Sequence, residues 1–285
     1  MMKLVRDPEK LQRMLREERA RGKSVGFVPT MGALHEGHLS LVRASNREND
    51  ITIVSIFVNP TQFGPKEDLA RYPRPTRRDL DFLRAAKVDF VFMPSVEAMY
   101  PKGLAEPLKL KNAKWPRLAK GLCGKFRPGH FCGVATVVTK LLNITGLCRL
   151  YLGAKDLQQA AVISQLVRDL DTDIQVRVMP TVREKDGLAM SSRNRFLNTD
   201  ERRRALAISR ILFGLKRDLL RKRPVATLRL RAIQELKKSV DRVQYFEIVD
   251  PGTLVPVKKH QKKMAVATAC FVGKTRLIDN VIIRA

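Results

Sequence analysis

His35 and His38 stand three residues apart in VPTMGALHEGHLSLV (28–42), a segment that reads as strand, short loop and helix. Residues three apart share one helix face. Two imidazoles on that face can donate hydrogen bonds to phosphoryl oxygens as negative charge builds up during a displacement. The helix N-terminus adds free N–H groups and the positive end of its dipole, which suits a phosphate. Gly32 and Gly37 allow close approach of the backbone to a ligand. The alternatives are a structural pair or a zinc helix, but the zinc motif H-E-x-x-H needs a spacing of four and this spacing is three. The chain has four histidines, and two of them fall at this glycine-bearing turn, which favours chemistry.

Three other places carry suitable side chains. Asn59-Pro60 ends an apolar run and reads either as a plain turn or as a ligand support at a strand end. Gly153, Ala154, Lys155 and Asp156 follow one strand and precede a helix, where scaffolding and phosphate binding are both open. Met190, Ser191, Ser192 and Arg193 offer two hydroxyls and a guanidinium, which suit a triphosphate or form a polar surface turn.

The elements that must position these residues alternate. Asp7 caps and Pro8 opens a first helix that ends before Gly22. VGFVPT (25–30) reads as a buried strand, and a helix runs on from His35. Strands at 51–59 and 88–94 flank a helix at 77–86. A helix at 134–144, a strand at 149–153, a helix at 157–170 and a strand at 174–180 continue the rhythm. Such alternation predicts right-handed crossovers and a parallel sheet. Residues 101–133, with several Pro and Gly, read as an excursion over that sheet. After about residue 183 two basic helices, near 200–222 and 226–240, precede strand-like runs at 243–250, 264–272 and 275–283, with a tight hairpin at Gly273-Lys274. The expected fold class is α/β: a Rossmann-like parallel-sheet domain over 1–182, then a smaller C-terminal α+β domain over 183–285 carrying an antiparallel sheet.

Composition narrows the functional classes. Hydrophobic residues make up 44%, which is globular. No apolar run approaches the ~20 residues of a membrane helix, and the charged N-terminus has no signal-peptide core, so a cytoplasmic protein without membrane partners is expected. Cys123, Cys132, Cys148 and Cys270 form no C-x-x-C pair and read as reduced thiols, with Cys123 and Cys132 in a partly exposed loop. The net charge of +27 attracts polyanions, and LKRDLLRKR (215–223) and VKKHQKK (257–263) are its densest stretches. It reads as a solvated basic surface with nonspecific polyanion binding as a side property.

The His-x-Gly-His segment resembles the signature of the nucleotidyltransferase superfamily. PTMGALHEGH, SIFVNPTQF (55–63), DLARYPR (68–74), RPGHF (127–131), KDLQQ (155–159) and DGLAMSSRN (186–194) stand in the order found in the pantothenate synthetase family, and RLIDN (276–280) extends the match weakly. The resemblance implies ATP-dependent condensation of (R)-pantoate with β-alanine through a pantoyl-adenylate. It implies that Met31, Gly32, Ala33, Leu34, His35, Glu36, Gly37 and His38 bind ATP, with His38 the leading catalytic histidine and His35 its partner. Gly153, Ala154, Lys155 and Asp156 would also contact ATP, with Lys155 on the phosphates and Asp156 on the ribose. Val182 would touch adenine through its backbone, and Met190, Ser191, Ser192 and Arg193 would form a phosphate loop. Catalysis would fall to His38, His35, Lys155 and Arg193. Gln62 and Gln159 would bind pantoate, supported by Asn59. A homodimer is implied, as is a C-terminal lid that shields the adenylate.

The sequence departs from that family in three words. Ala154 stands where the family has glutamate, and Cys132 where RPGHFRG has arginine. Arg77-Arg78-Asp79 occupies the region where some members hold magnesium, leaving Asp79 as the one candidate carboxylate ligand. Mg2+ is then expected mainly on the ATP phosphates. The rival readings are another nucleotidyltransferase, such as a cytidylyltransferase, and a nucleic-acid-binding protein on an inactive ligase fold.

Overall fold

The computed structural model describes residues 1–65, 67–104, 108 and 112–284. Part of the expected excursion at 101–133 therefore lies outside the described residues. The elements, in chain order, are β1 (Lys3–Val5), α1 (Pro8–Ala20), β2 (Val25–Thr30), α2 (Glu36–Glu48), β3 (Ile51–Ile56), α3 (Thr76–Ala85), β4 (Phe90–Phe92), α4 (Val96–Met99), α5 (Trp115–Leu118), α6 (Leu122–Phe126), α7 (His130–Thr145), β5 (Arg149–Gly153), α8 (Leu157–Asp169) and β6 (Gln175–Met179). Then come α9 (Thr199–Leu220), α10 (Val225–Lys237), β7 (Arg242–Val249), β8 (Lys263–Val272) and β9 (Thr275–Arg284).

The chain forms two compact units. The first comprises 1–117, 127–153 and 162–179, and the second 118–126, 154–161 and 180–285. The second thus gathers two short pieces that precede residue 182 in the chain.

The first unit holds a six-stranded sheet in the order β1-β4-β3-β2-β5-β6, parallel throughout. β-Branched and aromatic residues fill β2 and β3, and all but Pro29 of their residues are buried, as expected of strands covered on both faces. From β2 the chain winds outward through β3 and β4, whereas β5 and β6 extend the sheet the other way. The topological switch point therefore lies between β2 and β5, and open α/β sheets bind ligands outside the carboxyl ends of strands at such a point. The strand β1 has no counterpart in the sequence reading, because three residues are too few to show a period; it adds an edge to the sheet through Lys3–Phe90 and Val5–Phe92 pairing.

The second unit carries the antiparallel sheet β7-β8-β9, whose β8–β9 hairpin turns at Gly273-Lys274. Ile208, Leu212 and Leu215 of α9 and Leu228 and Leu236 of α10 pack with Phe246, Val266 and Cys270 of the sheet in one apolar core. Cys123 is buried against this unit's Tyr245, not partly exposed as the sequence suggested, because α6 folds onto β7.

Candidate active site

In the first unit, the loop between β2 and α2 is shaped by Asp79. Gly32 and Ala33 adopt left-handed φ values of 81° and 51°, which turn the next two N–H groups inward. Asp79 receives both: Ala33 N–H on one carboxylate oxygen and Leu34 N–H on the other, each at 2.8 Å. A Cβ at Gly32 would come within 3.0 Å of that carboxylate, so glycine is required on steric as well as conformational grounds. Asp79 is 1% exposed. Each of its oxygens accepts a backbone N–H, and the carboxylate thereby shapes the loop that precedes α2. Arg78 lies over the ring of Phe82 at 5.1 Å, and among the described residues no three His, Cys, Asp or Glu side chains cluster as a metal site.

His35 is the N-cap of α2. Its Nδ1 accepts the Gly37 N–H at 3.1 Å, while Nδ1 of His38 accepts the N–H of His35 at 3.3 Å. This is a capping box made of two imidazoles. The ring centroids lie 4.1 Å apart. Since each Nδ1 serves as an acceptor, each neutral ring carries its proton on Nε2. The sequence placed both histidines on one helical face; the structure instead puts His35 just before the helix, as its extended N-cap, with its ring set beside that of His38. Glu36 is ion-paired with Arg43 on the exposed side of the helix.

Asn59 and Gln62 follow β3 on a short 3-10 turn, Pro60–Gln62. Asn59 is 1% exposed and caps that turn, accepting Tyr100 O–H at 2.8 Å and Thr61 O–H at 3.0 Å. Its amide donates to Gln62 Oε1 at 3.2 Å and to the Gly133 carbonyl at 3.3 Å. Gln62 in turn donates to Met31 Sδ at 2.9 Å, joining two of the expected ligand segments. A Cβ at Gly133 would run into the Thr61 carbonyl, so α7 can approach this turn only with glycine there.

The RPGHF word acquires a role that sequence spacing did not reveal. Arg127 grips Glu67, with its Nε–H donating at 2.6 Å, and its third nitrogen lies 2.9 Å from His130 Nε2. His130 Nδ1 is 2.8 Å from the Gln62 carbonyl. A carbonyl only accepts, so Nδ1 carries the proton and Nε2 accepts from Arg127. Burial pushes the Glu67 carboxyl up, but the hydrogen bonds and charge of Arg127 outweigh it and hold it below its ordinary value. This chain of bonds fixes the Gln62 backbone from behind.

Gly153 ends β5, on the β5 side of the switch point. In the second unit Ala154–Asp156 form a 3-10 turn whose position is set from the C-terminal strand. Asn280 donates to the Ala154 carbonyl at 2.9 Å and to the Lys155 carbonyl at 2.8 Å. Its neighbour Asp279 makes a two-pronged ion pair with Arg183 at 2.7 and 2.8 Å. The RLIDN word thus tethers the lysine turn. Lys155 Nζ lies 3.8 Å from Asp156. Gln158 is buried and donates to the Leu118 and Gly121 carbonyls, while Gln159 beside it is half-buried.

Also in the second unit, Met190 N–H donates to the Val182 carbonyl at 3.0 Å, so 182–190 closes as a hairpin. Ser191 caps the 3-10 turn Ser192–Phe196, and Asn194 ties that turn to Glu184 at 2.6 Å and to the Ala189 carbonyl at 3.0 Å. Arg202 of α9 holds Glu184 and Asp186 together. Met190, Ser191, Ser192 and Arg193 are half-buried on this braced loop.

A parallel α/β sheet with two histidines beside its switch point is the arrangement expected of a nucleotide-binding α/β enzyme. The model of the pantoate-beta-alanine ligase family matches residues 3–282. A pantothenate synthetase of Sulfurihydrogenibium sp. is 49% identical over 283 residues, covering 98% of this chain and 99% of that one. One from Pseudothermotoga lettingae is 50% identical, with 99% of each chain covered. Among solved structures, pantothenate synthetase from Thermus thermophilus superposes with a TM-score of 0.91 at 41% identity, covering 98% of this chain and 99% of that one. Pantoate-beta-alanine ligase from Francisella tularensis, complexed with beta-gamma ATP and beta-alanine, gives a TM-score of 0.77 at 36% identity, covering 99% and 98%. The chain belongs to the pantoate–β-alanine ligase family, whose reaction is the ATP-dependent condensation of pantoate with β-alanine.

Proposed function

We propose that the chain performs that reaction with the residues named above. The (R)-pantoate carboxylate attacks the α-phosphorus of ATP, a new P–O bond forms and pyrophosphate leaves. The β-alanine amine then attacks the pantoyl-adenylate carbonyl, giving pantothenate and AMP. A carboxylate is already ionised, so the first step needs positioning and charge stabilisation more than a general base. The observation that carries this reading is the histidine capping box, which commits both Nε2–H groups to donation. His38 and His35 would donate to phosphate oxygens, and Lys155 and Arg193 would add positive charge. The segment 31–38, with 153–156, Val182 and 190–193, would bind ATP; Gln62 and Gln159, with Asn59 behind Gln62, would bind pantoate.

Magnesium would enter on ATP, held mainly by phosphate oxygens, while Asp79 holds the backbone of the loop before α2. No helix among the described residues is long and apolar enough to cross a membrane. A cytoplasmic homodimer, and weak polyanion binding by the basic surface, complete the reading. Its test is AMP formation from ATP: it should require both D-pantoate and β-alanine. Turnover indifferent to β-alanine would remove the ligase assignment.

A further inference from the structure

The two densest basic stretches, 215–223 and 257–263, take no part in the proposed chemistry, yet the second unit brings them together. His260 Nε2 donates to the Arg223 carbonyl at 2.8 Å, so the second stretch is fastened to the end of the first. Arg210 and Arg217 lie on one face of α9, Arg221 caps its C-terminal end, and Arg231 and Glu235 face them from α10 across a cleft of about 500 Å3. A Cβ at Gly214 would meet nothing within 4 Å, so this glycine leaves the cleft open between Arg210 and Arg217. Asp218, 19% exposed, lies 3.1 Å from Arg223 and 3.8 Å from Arg231 and orients both guanidinium groups. Five arginines against two carboxylates keep the lining cationic. Exposed Lys222, Lys258, Lys259 and Lys262 continue the charge beyond it.

We propose that this strip binds the phosphodiester backbone of a nucleic acid without reading its sequence. Exposed guanidinium and ammonium groups match a row of phosphates. The cleft lining contains no aromatic ring, so it lacks the stacking platform that single-strand binders use. The proposal deepens the polyanion reading above: that reading needs only diffuse charge, and this one assigns a place.

The test is fluorescence anisotropy of the full chain with a labelled duplex of about 20 base pairs, and with one of its strands, between about 50 and 200 mM salt. The triple variant Arg217→Glu, Arg221→Glu, Lys259→Glu is compared with Arg13→Glu, Arg16→Glu, Arg47→Glu, which changes net charge equally at exposed positions of the first unit. The strip variant should weaken duplex binding at least tenfold and flatten the salt dependence by roughly one charge for each phosphate no longer neutralised. The control should change it less than threefold, and AMP formation should be unaltered in both. Equal losses would overturn the assigned place and leave diffuse charge. A single strand bound much more tightly than the duplex would overturn the backbone reading, and absence of wild-type binding would overturn both readings of the charge.

Discussion

The carboxylate of Asp79, on α3, accepts the backbone N–H of Ala33 at 2.8 Å, across 46 residues of sequence. That bond and its twin to Leu34 hold the loop that presents His35 and His38. Asp79→Ala would leave two buried donors unsatisfied and should cost about 3 kcal/mol of stability. Asp79→Asn keeps one acceptor and should cost less. Both should raise the KM for ATP while leaving the magnesium concentration for half-maximal rate unchanged. Thermal melts and magnesium titrations check this, and a large rise in the magnesium requirement would support the metal-ligand reading.

His38→Ala should lower adenylate formation by about 10²- to 10³-fold, the usual loss for one donor to a developing oxyanion. The circular dichroism spectrum should persist. His35→Ala loses an N-cap as well and should lower stability by about 1 kcal/mol in addition to slowing the reaction. Unchanged turnover in the His38 variant would take it out of the mechanism.

Arg127→Ala would strand Glu67 and release His130 from one side, loosening the Gln62 carbonyl. The KM for pantoate should rise more than that for ATP. The Glu67 carboxyl is held below its ordinary value, so the stability it adds is present above about pH 4.5 and lost as pH falls through its folded value. Glu67→Gln should flatten that acid limb in melts taken from pH 7 downward. An unchanged limb would refute the pairing as its source.

Asn280→Ala removes two donors from the Ala154–Asp156 turn. Asn280→Asp keeps the shape but sets a carboxylate against two carbonyls. Both should raise the KM for ATP several-fold with little effect on the KM for β-alanine. Steady-state kinetics with each substrate varied in turn will show whether the turn positions Lys155.

Burial pushes the Cys148 thiol up to about 11 and the Cys270 thiol up to about 12. Native protein at pH 8 should therefore lose Cys132 to iodoacetamide well before either, as mass spectrometry of peptides would show. The sign for stability is the reverse of the Glu67 case. Keeping these thiols neutral adds stability below the ordinary thiol value near 9, and that contribution is lost as pH rises through the folded values.

The order and type of the long elements could be read from the sequence, because periodicity is a local property of the chain. Thus α9 and the β8–β9 hairpin stand within a residue or two of where the pattern placed them. The strand β1 was invisible because its signal lies in its partner β4. Arg127, His130 and Asn280 sat in recognisable words without roles, since a role such as holding a backbone carbonyl depends on what comes near in space.

Sequence by itself determined the chemistry on offer: which imidazoles, hydroxyls and cations stand at strand-to-helix turns, and in what order. Side-chain type and neighbours along the chain suffice for that. Only the tertiary structure decided the state of those groups: that Asp79 accepts from Ala33 and Leu34, that Nδ1 of both His35 and His38 accepts a backbone N–H and leaves the proton of the neutral ring on Nε2, and that two basic stretches far apart in sequence share one surface. Each rests on hydrogen bonds or proximity that close only when chain folding brings distant backbone into range.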